Sequence, residues 1–271
     1  MMRATSRVSL ERVTERFEPV LRAAGSGSAR FATQLFTLVD ALDSSGSLRR
    51  TLTDPSIDGA AKAGLARAIL AGAAPQVADV VAELVGSRWS AKEDLAEAVE
   101  ELGFRSALAS AEASDELVRV EDELFSITRA LIGQREVRRA LFDMAAAPER
   151  RLALLDAILA GRTAPVTELI ARRATLSPRG RRFIATLGHV GELAAARRNR
   201  LVASVTSGTE LSELQLVRLA GILGRAYGSE VQLNVTVDPK VLGGLRVQIG
   251  PDVVDSTVLS RLDDARRQLA S

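Results

Sequence analysis

The residues able to carry chemistry are few, and that scarcity is the first finding. The chain of 271 residues has no cysteine, one histidine (His189), one tyrosine (Tyr227) and one tryptophan (Trp89). Without thiols there is no disulfide framework, thiolate nucleophile or zinc–thiolate cluster, and one imidazole cannot supply the two or three that most catalytic zinc sites use. His189 stands in Leu187-Gly188-His189-Val190-Gly191, a helical context with no second His or Cys as co-ligand, so a structural or surface role is expected. Trp89 and Tyr227 read as packing anchors. No Gly-Lys pair marks a P-loop. The run Gly25-Ser26-Gly27-Ser28-Ala29-Arg30 lacks a third glycine and a preceding strand, and reads as a flexible linker. Paired acids such as Glu100-Glu101 are expected on a solvated helix face. The residue types imply no cofactor, no metal and no catalytic site.

Arginine is the one abundant functional group. The chain carries 36 basic against 34 acidic residues, a net charge of +2, and only Lys62, Lys92 and Lys240 are not arginine among the basic ones. The charge is uneven: residues 76–134 are strongly acidic and residues 135–200 strongly basic. The pairs Arg138-Arg139, Arg150-Arg151, Arg172-Arg173 and Arg197-Arg198, with Arg179, Arg181 and Arg182, have the chemistry to meet phosphates or carboxylates. The neighbouring acids and the lack of an aromatic stacking platform argue against nucleic acid. What remains is intramolecular pairing on solvated helices or docking to an acidic protein segment, with Arg138, Arg139, Arg172 and Arg173 as candidate docking residues. An Arg-rich helical nucleic-acid-binding or adaptor protein is the alternative function.

Elements that position these groups follow from periodicity. Shifting the chain by 89 residues pairs Ala29–Gly72 with Val118–Gly161 without a gap. It matches Leu35-Phe36 with Leu124-Phe125, Arg49-Arg50 with Arg138-Arg139, Leu52 and Asp54 with Leu141 and Asp143, and Ala68–Gly72 with Ala157–Gly161. Two copies are too few for a solenoid, so a duplicated domain is expected. Phe31, Leu35, Leu38, Val39 and Leu42 recur at helical steps, as do Val120, Leu124, Ile127 and Leu131. Asp54-Pro55 predicts a break, Pro148 a first helical position, and Gly72 and Gly161 helix stops. The longest stretch free of charge, Ala68–Ala78, spans 11 residues and includes Gly72 and Pro75, too short for a membrane helix. The Arg/Glu-rich N-terminus reads as an amphipathic helix, and the cysteine-free chain as one of a reducing cytosolic compartment.

From residue 201 the period changes to two. Val231, Leu233, Val235 and Val237 alternate with polar residues, Leu245, Val247 and Ile249 form a second run, and Val202–Thr206 a shorter one. Between the first and second strands a helix is predicted, with Ser212 and Gln215 as capping box, Leu211 and Leu216 as hydrophobic staple, and Gly228 as stop. Gly250-Pro251-Asp252 reads as a turn. Val258, Leu262, Ala265 and Leu269 predict a last helix, capped by Asp255 or Ser256. The fold class is therefore mainly α: two related, duplicated helical bundles over 1–92 and 93–200, followed by a small α+β module over 201–271.

The tail carries Asp238, Pro239, Leu242, Gly243, Gly244, Val247 and Gly250, then Asp255, Arg261 and Leu262. This closely resembles the C-terminal signature of the delta subunits of F-type ATP synthases, the bacterial counterparts of the oligomycin-sensitivity-conferring protein. Ser256, where the family usually has Gly, and Pro251 depart from the pattern, both in turns. Residues 93–200, with Val120–Phe125, Leu141 and Asp143, resemble the family's N-terminal helix bundle more diffusely, and the extra copy resembles the enlarged actinobacterial form. The resemblance implies a non-catalytic stator subunit on the cytoplasmic side of the cell membrane, with membrane contact only through the complex. Its implied partners are the N-terminal helices of the alpha subunits, taken by helix-in-groove docking, and b-type stalk subunits. Two grooves on one chain would raise avidity by roughly 10²–10⁴ where geometry allows both. The signature residues themselves have structural work to do: Gly243-Gly244 suits a tight turn needing positive φ.

Overall fold

The computed structural model describes residues 2–141, 143–179, 183–198, 200–227, 230–239, 241, 243–249 and 252–255. The chain divides into two compact units, residues 1–190 and 191–271.

Every described element between residues 4 and 197 is helical: α1 (Ala4–Ala24), α2 (Ser28–Ser44), α3 (Gly46–Thr53), α4 (Gly59–Ile69), α5 (Pro75–Gly86), α6 (Asp94–Ala113), α7 (Leu117–Ile132), α8 (Arg135–Leu141), α9 (Pro148–Leu159), α10 (Pro165–Leu176) and α11 (Phe183–Arg197). The first five begin, when moved 89 residues along, within one residue of the starts of α6 to α10, and α6 moved likewise begins where α11 does. The local devices recur too. Buried Leu52 and Leu141 each precede an aspartate that closes a turn: Asp54 Oδ1 accepts from the Ser56 amide at 2.8 Å, and Asp143 Oδ1 from the Ala145 amide at 3.1 Å. Gly72 and Gly161 take φ of +86° and +66° in the turns that follow α4 and α9, where their type tolerates this backbone, while the left-handed cap of α9 itself is Ala160. A buried cation stands at matching places. Lys62 Nζ donates to the Asp54 carbonyl at 3.2 Å, and Arg151 Nη1 to the Thr175 carbonyl at 2.7 Å.

Two expectations are corrected: Glu100, read as part of a solvated helix face, is buried because arginines from elsewhere in the chain pair with it, and a linker proves to be structured. The segment read as a flexible linker, Gly25–Arg30, is a 3-10 turn over Gly25–Gly27 that runs directly into the start of α2. Ser28 Oγ donates to the Gly25 carbonyl at 2.7 Å, and Ser110 Oγ on α6 donates to the Ser26 carbonyl at 2.8 Å. Hydrogen bonds to the backbone, invisible in a Gly/Ser composition, fix it.

A core of Leu, Val, Ala and Phe side chains runs from Leu10 to Ala109 and draws on each of α1 to α6. Trp89 packs at its edge and donates Nε1–H to the Leu84 carbonyl at 2.9 Å. α6 is the exception to one-sided amphipathicity. Leu95, Val99 and Leu102 face this core, while Gly103, Phe104, Ala107, Leu108 and Ala111 are buried outside it. Helices buried on every side sit between other helices, and α6 packs against α1, α2, α3 and α5 as well as α7 and α10.

The second unit contains β1 (Arg200–Ser207), α12 (Glu213–Tyr227), β2 (Glu230–Val237), β3 (Leu245–Ile249) and β4 (Asp252–Asp255). The sheet order is β2-β1-β3-β4: β1 and β2 are parallel, as a crossover helix requires, and the other pairs are antiparallel. Ala203, Val205, Val231, Val247 and Ile249 form its core, covered by Leu219, Leu223 and Tyr227 of α12. The capping box forms as the spacing predicts: Gln215 Oε1 accepts from the Ser212 amide at 2.8 Å, and Ser212 Oγ from the Gln215 amide at 3.4 Å. Strand β4 is an addition to the sequence reading, which gives only a turn at Gly250-Pro251-Asp252 ahead of the last helix. The predicted last helix lies outside the described residues.

Candidate docking surfaces

The candidate arginines part ways. Arg138 is half-buried and Arg139 exposed on α8, both on the surface of the helical unit. Arg172 Nη2 lies 2.6 Å from Asp156 Oδ1 and its Nε 2.7 Å from Glu168 Oε1. The Glu168 hydrogen bond holds its pKa above the ordinary arginine value against desolvation, and the charges of Asp156 and Glu168 add to the rise. Arg173 is only 6 % exposed. Its Nη1 lies 2.6 Å from Asp40 Oδ1, its Nη2 3.4 Å from Glu100 Oε1, and its guanidinium 4.9 Å from the centre of the Phe36 ring. Of the two readings left open for these groups, intramolecular pairing describes Arg172 and Arg173, and Arg138 and Arg139 keep the free surface.

Arg173 belongs to a larger network. Arg179 Nε is 2.6 Å from Asp43 Oδ2 and its Nη1 3.5 Å from Glu100 Oε2, and Arg49 Nη1 is 3.5 Å from Asp43 Oδ1. Three cations and three carboxylates from α2, α3, α6, α10 and the segment after α10 thus neutralise one another. Pairing of this kind is what makes burial of charge tolerable. Arg181 and Arg182 lie outside the described residues.

Two open grooves border α1. One, of about 850 Å³ between α1 and α5, is lined by Val8, Arg12, Arg16, Glu83, Gly86 and Arg88, with Val8 54 % exposed. The other, of about 780 Å³, lies among α1, α6 and α11 and carries Glu11, Glu15, Glu97, Glu101, Arg105 and His189. His189 Nε2 stands 4.0 Å from Glu101 Oε2. Among the described residues no group of His, Asp and Glu is placed to hold a metal ion, and no helix is long and apolar enough to cross a membrane.

The tail signature builds a turn. The Asp238 amide donates to the Ser207 carbonyl at 2.8 Å and the Val241 amide to the Asp238 carbonyl at 3.0 Å, with Pro239 between them. Gly243 and Gly244 take φ of +65° and +84°, as their type suits, before β3 begins. Val247 is a core residue opposite Val205 on one side and Val254 on the other. Asp255 ends β4 in register with Arg246. Leu242, Gly250, Arg261 and Leu262 lie outside the described residues. Gly208 was missed by sequence reasoning: a Cβ there would meet the Val241 carbonyl oxygen, a close approach that no local pattern announces.

The family model of the ATP synthase delta (OSCP) subunit matches residues 105–269, from within α6 through the sheet module. The chain belongs to this family. Proteins named ATP synthase subunit delta resemble it over their whole length: one from Beutenbergia cavernae is 55 % identical, covering 99 % of this chain and 100 % of the relative. Another from Kineococcus radiotolerans is 41 % identical over 98 % and 96 %, and one from Streptomyces griseus 40 % over 99 % and 100 %. Residues 1–104, which precede the matched region, are therefore spanned by these delta subunits almost entirely as well. As a delta (OSCP) subunit the chain is a non-catalytic, peripheral-stalk component of the F-type ATP synthase, and a peripheral part of that membrane-bound complex.

Proposed function

We propose that this delta subunit joins the catalytic head to the b-type stalk and holds it against rotor torque by two kinds of docking. The helical unit takes the N-terminal helices of the alpha subunits in grooves between its helices, and the sheet module engages the b-type subunits, all on the cytoplasmic side of the cell membrane. The groove between α1 and α5 is the observation that carries the first half. It is open, has an apolar foothold at Val8, a small-residue wall at Gly86, and Arg12, Arg16 and Arg88 against a single Glu83. An amphipathic helix with an acidic edge suits such a surface. Leu214 and Val217 on α12, 84 % and 72 % exposed, support a second docking face on the sheet module. Arg138 and Arg139 on α8 add a basic patch for an acidic partner face.

Titration calorimetry of the full chain with a synthetic alpha-subunit N-terminal peptide tests the reading. Binding that weakens on Val8→Asp is expected, and no heat at high micromolar peptide counts against it. Reversing Arg138 and Arg139 to Glu is expected to weaken complex assembly most at low salt, because salt screens exposed charges. Mass spectrometry of subunits that co-purify with the native chain identifies the partners directly.

A further inference from the structure

We propose that α6 belongs to two bundles at once, as the sixth helix of a first bundle, α1 to α6, and the first helix of a second, α6 to α11. Three observations carry this. The 89-residue shift that moves α1 onto α6 also moves α6 onto α11, so the repeat is five helices long while each bundle it generates has six. Among the described residues the helical unit and its continuation hold eleven helices, the number that two six-helix bundles need when one helix is counted twice.

The second observation is the surface chemistry of the two equivalent helices. Where α6 has Ala96, Gly103, Phe104 and Ala107, all buried, α1 has Arg7, Thr14, Glu15 and Glu18, exposed or half-exposed. Among the described residues no helix of another copy covers this face of α1, and a face left in water stays polar, as on the outer units of repeat proteins. The same face of α6 touches the first copy. Phe36 of α2 meets the Phe104 ring at 5.2 Å between centroids, and it lies so close to Gly103 that a Cβ there would overlap its ring.

Third, the ionic network lies where the copies meet. Arg173 of α10 reaches past Glu100 of α6 to Asp40 of α2, and Arg179 reaches Asp43. These residues tie the second copy to the first across the helix they would share. A shared helix makes the two bundles one mechanical body, a consequence that rests on the stator reading, although the sharing itself does not.

Hydrogen exchange of the full chain decides the matter, with Leu38→Ala in α2 as the perturbation and Val39→Ala as a milder second variant. Both side chains are buried in the first core. If α6 is shared, loosening the first bundle frees α6 and exposes the second, so amides in α9 and α10 exchange faster by the same factor as those in α4 and α5, roughly tenfold or more. Acceleration confined to residues 1–113, or a factor in α9 and α10 less than about a third of that in α4 and α5, overturns the proposal. The readout involves no partner, so failure of the docking reading would leave it standing.

Discussion

Gln34 and Glu123, 89 residues apart, perform the same task in their own copies. Gln34 Oε1 accepts a hydrogen bond from the Ala74 amide at 3.1 Å, and Glu123 Oε2 accepts one from the Ala164 amide at 2.8 Å. Each side chain thereby reaches from the second helix of its copy to satisfy a free N–H at the start of the fifth, just before Pro75 or Pro165. Glu123 does more, since the same oxygen accepts from Thr167 Oγ1 at 2.6 Å and its Oε1 lies 2.9 Å from Arg119 Nε.

Glu123→Ala is therefore expected to destabilise the chain by about 2 kcal/mol, and Gln34→Ala by about 1 kcal/mol, because only the first leaves several donors unmet. Urea unfolding followed by helical circular dichroism measures both. Equal effects would show that the extra bonds of Glu123 contribute nothing.

Leu52→Ala and Leu141→Ala should cost alike, about 2–5 kcal/mol each, since both side chains are fully enclosed at matching points of the two copies. Thermal unfolding of the single variants and of the pair gives the comparison.

Asp40 is largely exposed at its side chain while Arg173 is buried, so the two partners of one ion pair are unequal. Asp40→Ala is expected to cost about 1 kcal/mol or less. Arg173→Ala takes one of two paired arginines from buried Glu100 and removes the cover of Phe36, for about 3–5 kcal/mol. A double-mutant cycle should show the pair to be non-additive.

Asp54 titrates below the ordinary carboxylate value of 3.8 because the Ser56 hydroxyl, then the Ser56 amide, donate to its charged form, with Lys62 a weaker influence. A depressed folded-state pKa means a contribution present above the unfolded value and lost as the pH falls through the folded one. Asp54→Asn should accordingly narrow the stability difference from the parent chain as the pH drops below about 4. Unfolding midpoints measured between neutral and acid pH report it, and a gap that stays constant would remove Asp54 from the account.

Two glycines separate clash with backbone from clash with a side chain. Gly208→Ala would drive a Cβ into the Val241 carbonyl and should unfold or misregister the sheet module. Gly103→Ala meets only the Phe36 ring. It should cost about 1–3 kcal/mol and be partly rescued by Phe36→Leu. Calorimetric melting of the three variants tests the contrast.

Much of this was legible in the sequence because it is written locally. Pro148 opens α9, Gly72 and Gly161 take positive φ, and Ser212 and Gln215 cap α12, each through a bond or torsion within a few residues. Strand β4 was not legible, since Asp252–Asp255 is too short for alternation to register and takes its order from β3. The fate of Arg173 could not be read either: its partner Asp40 lies 133 residues away, and Arg172 beside it has the same composition around it and a different outcome. The apolar residues on both sides of α6 were visible, but which neighbours bury them is a tertiary fact.

The recurrence of helix starts has a consequence for how such a chain changes length. Excising residues 94–182 in frame would join Glu93 to Phe183, so that α11 would follow α5 at the spacing α6 now has. A gene could thus gain or lose one 89-codon cassette without creating a new helix end or a new loop, and circular dichroism of the excised chain would reveal whether α11 can stand in for the helix it replaces.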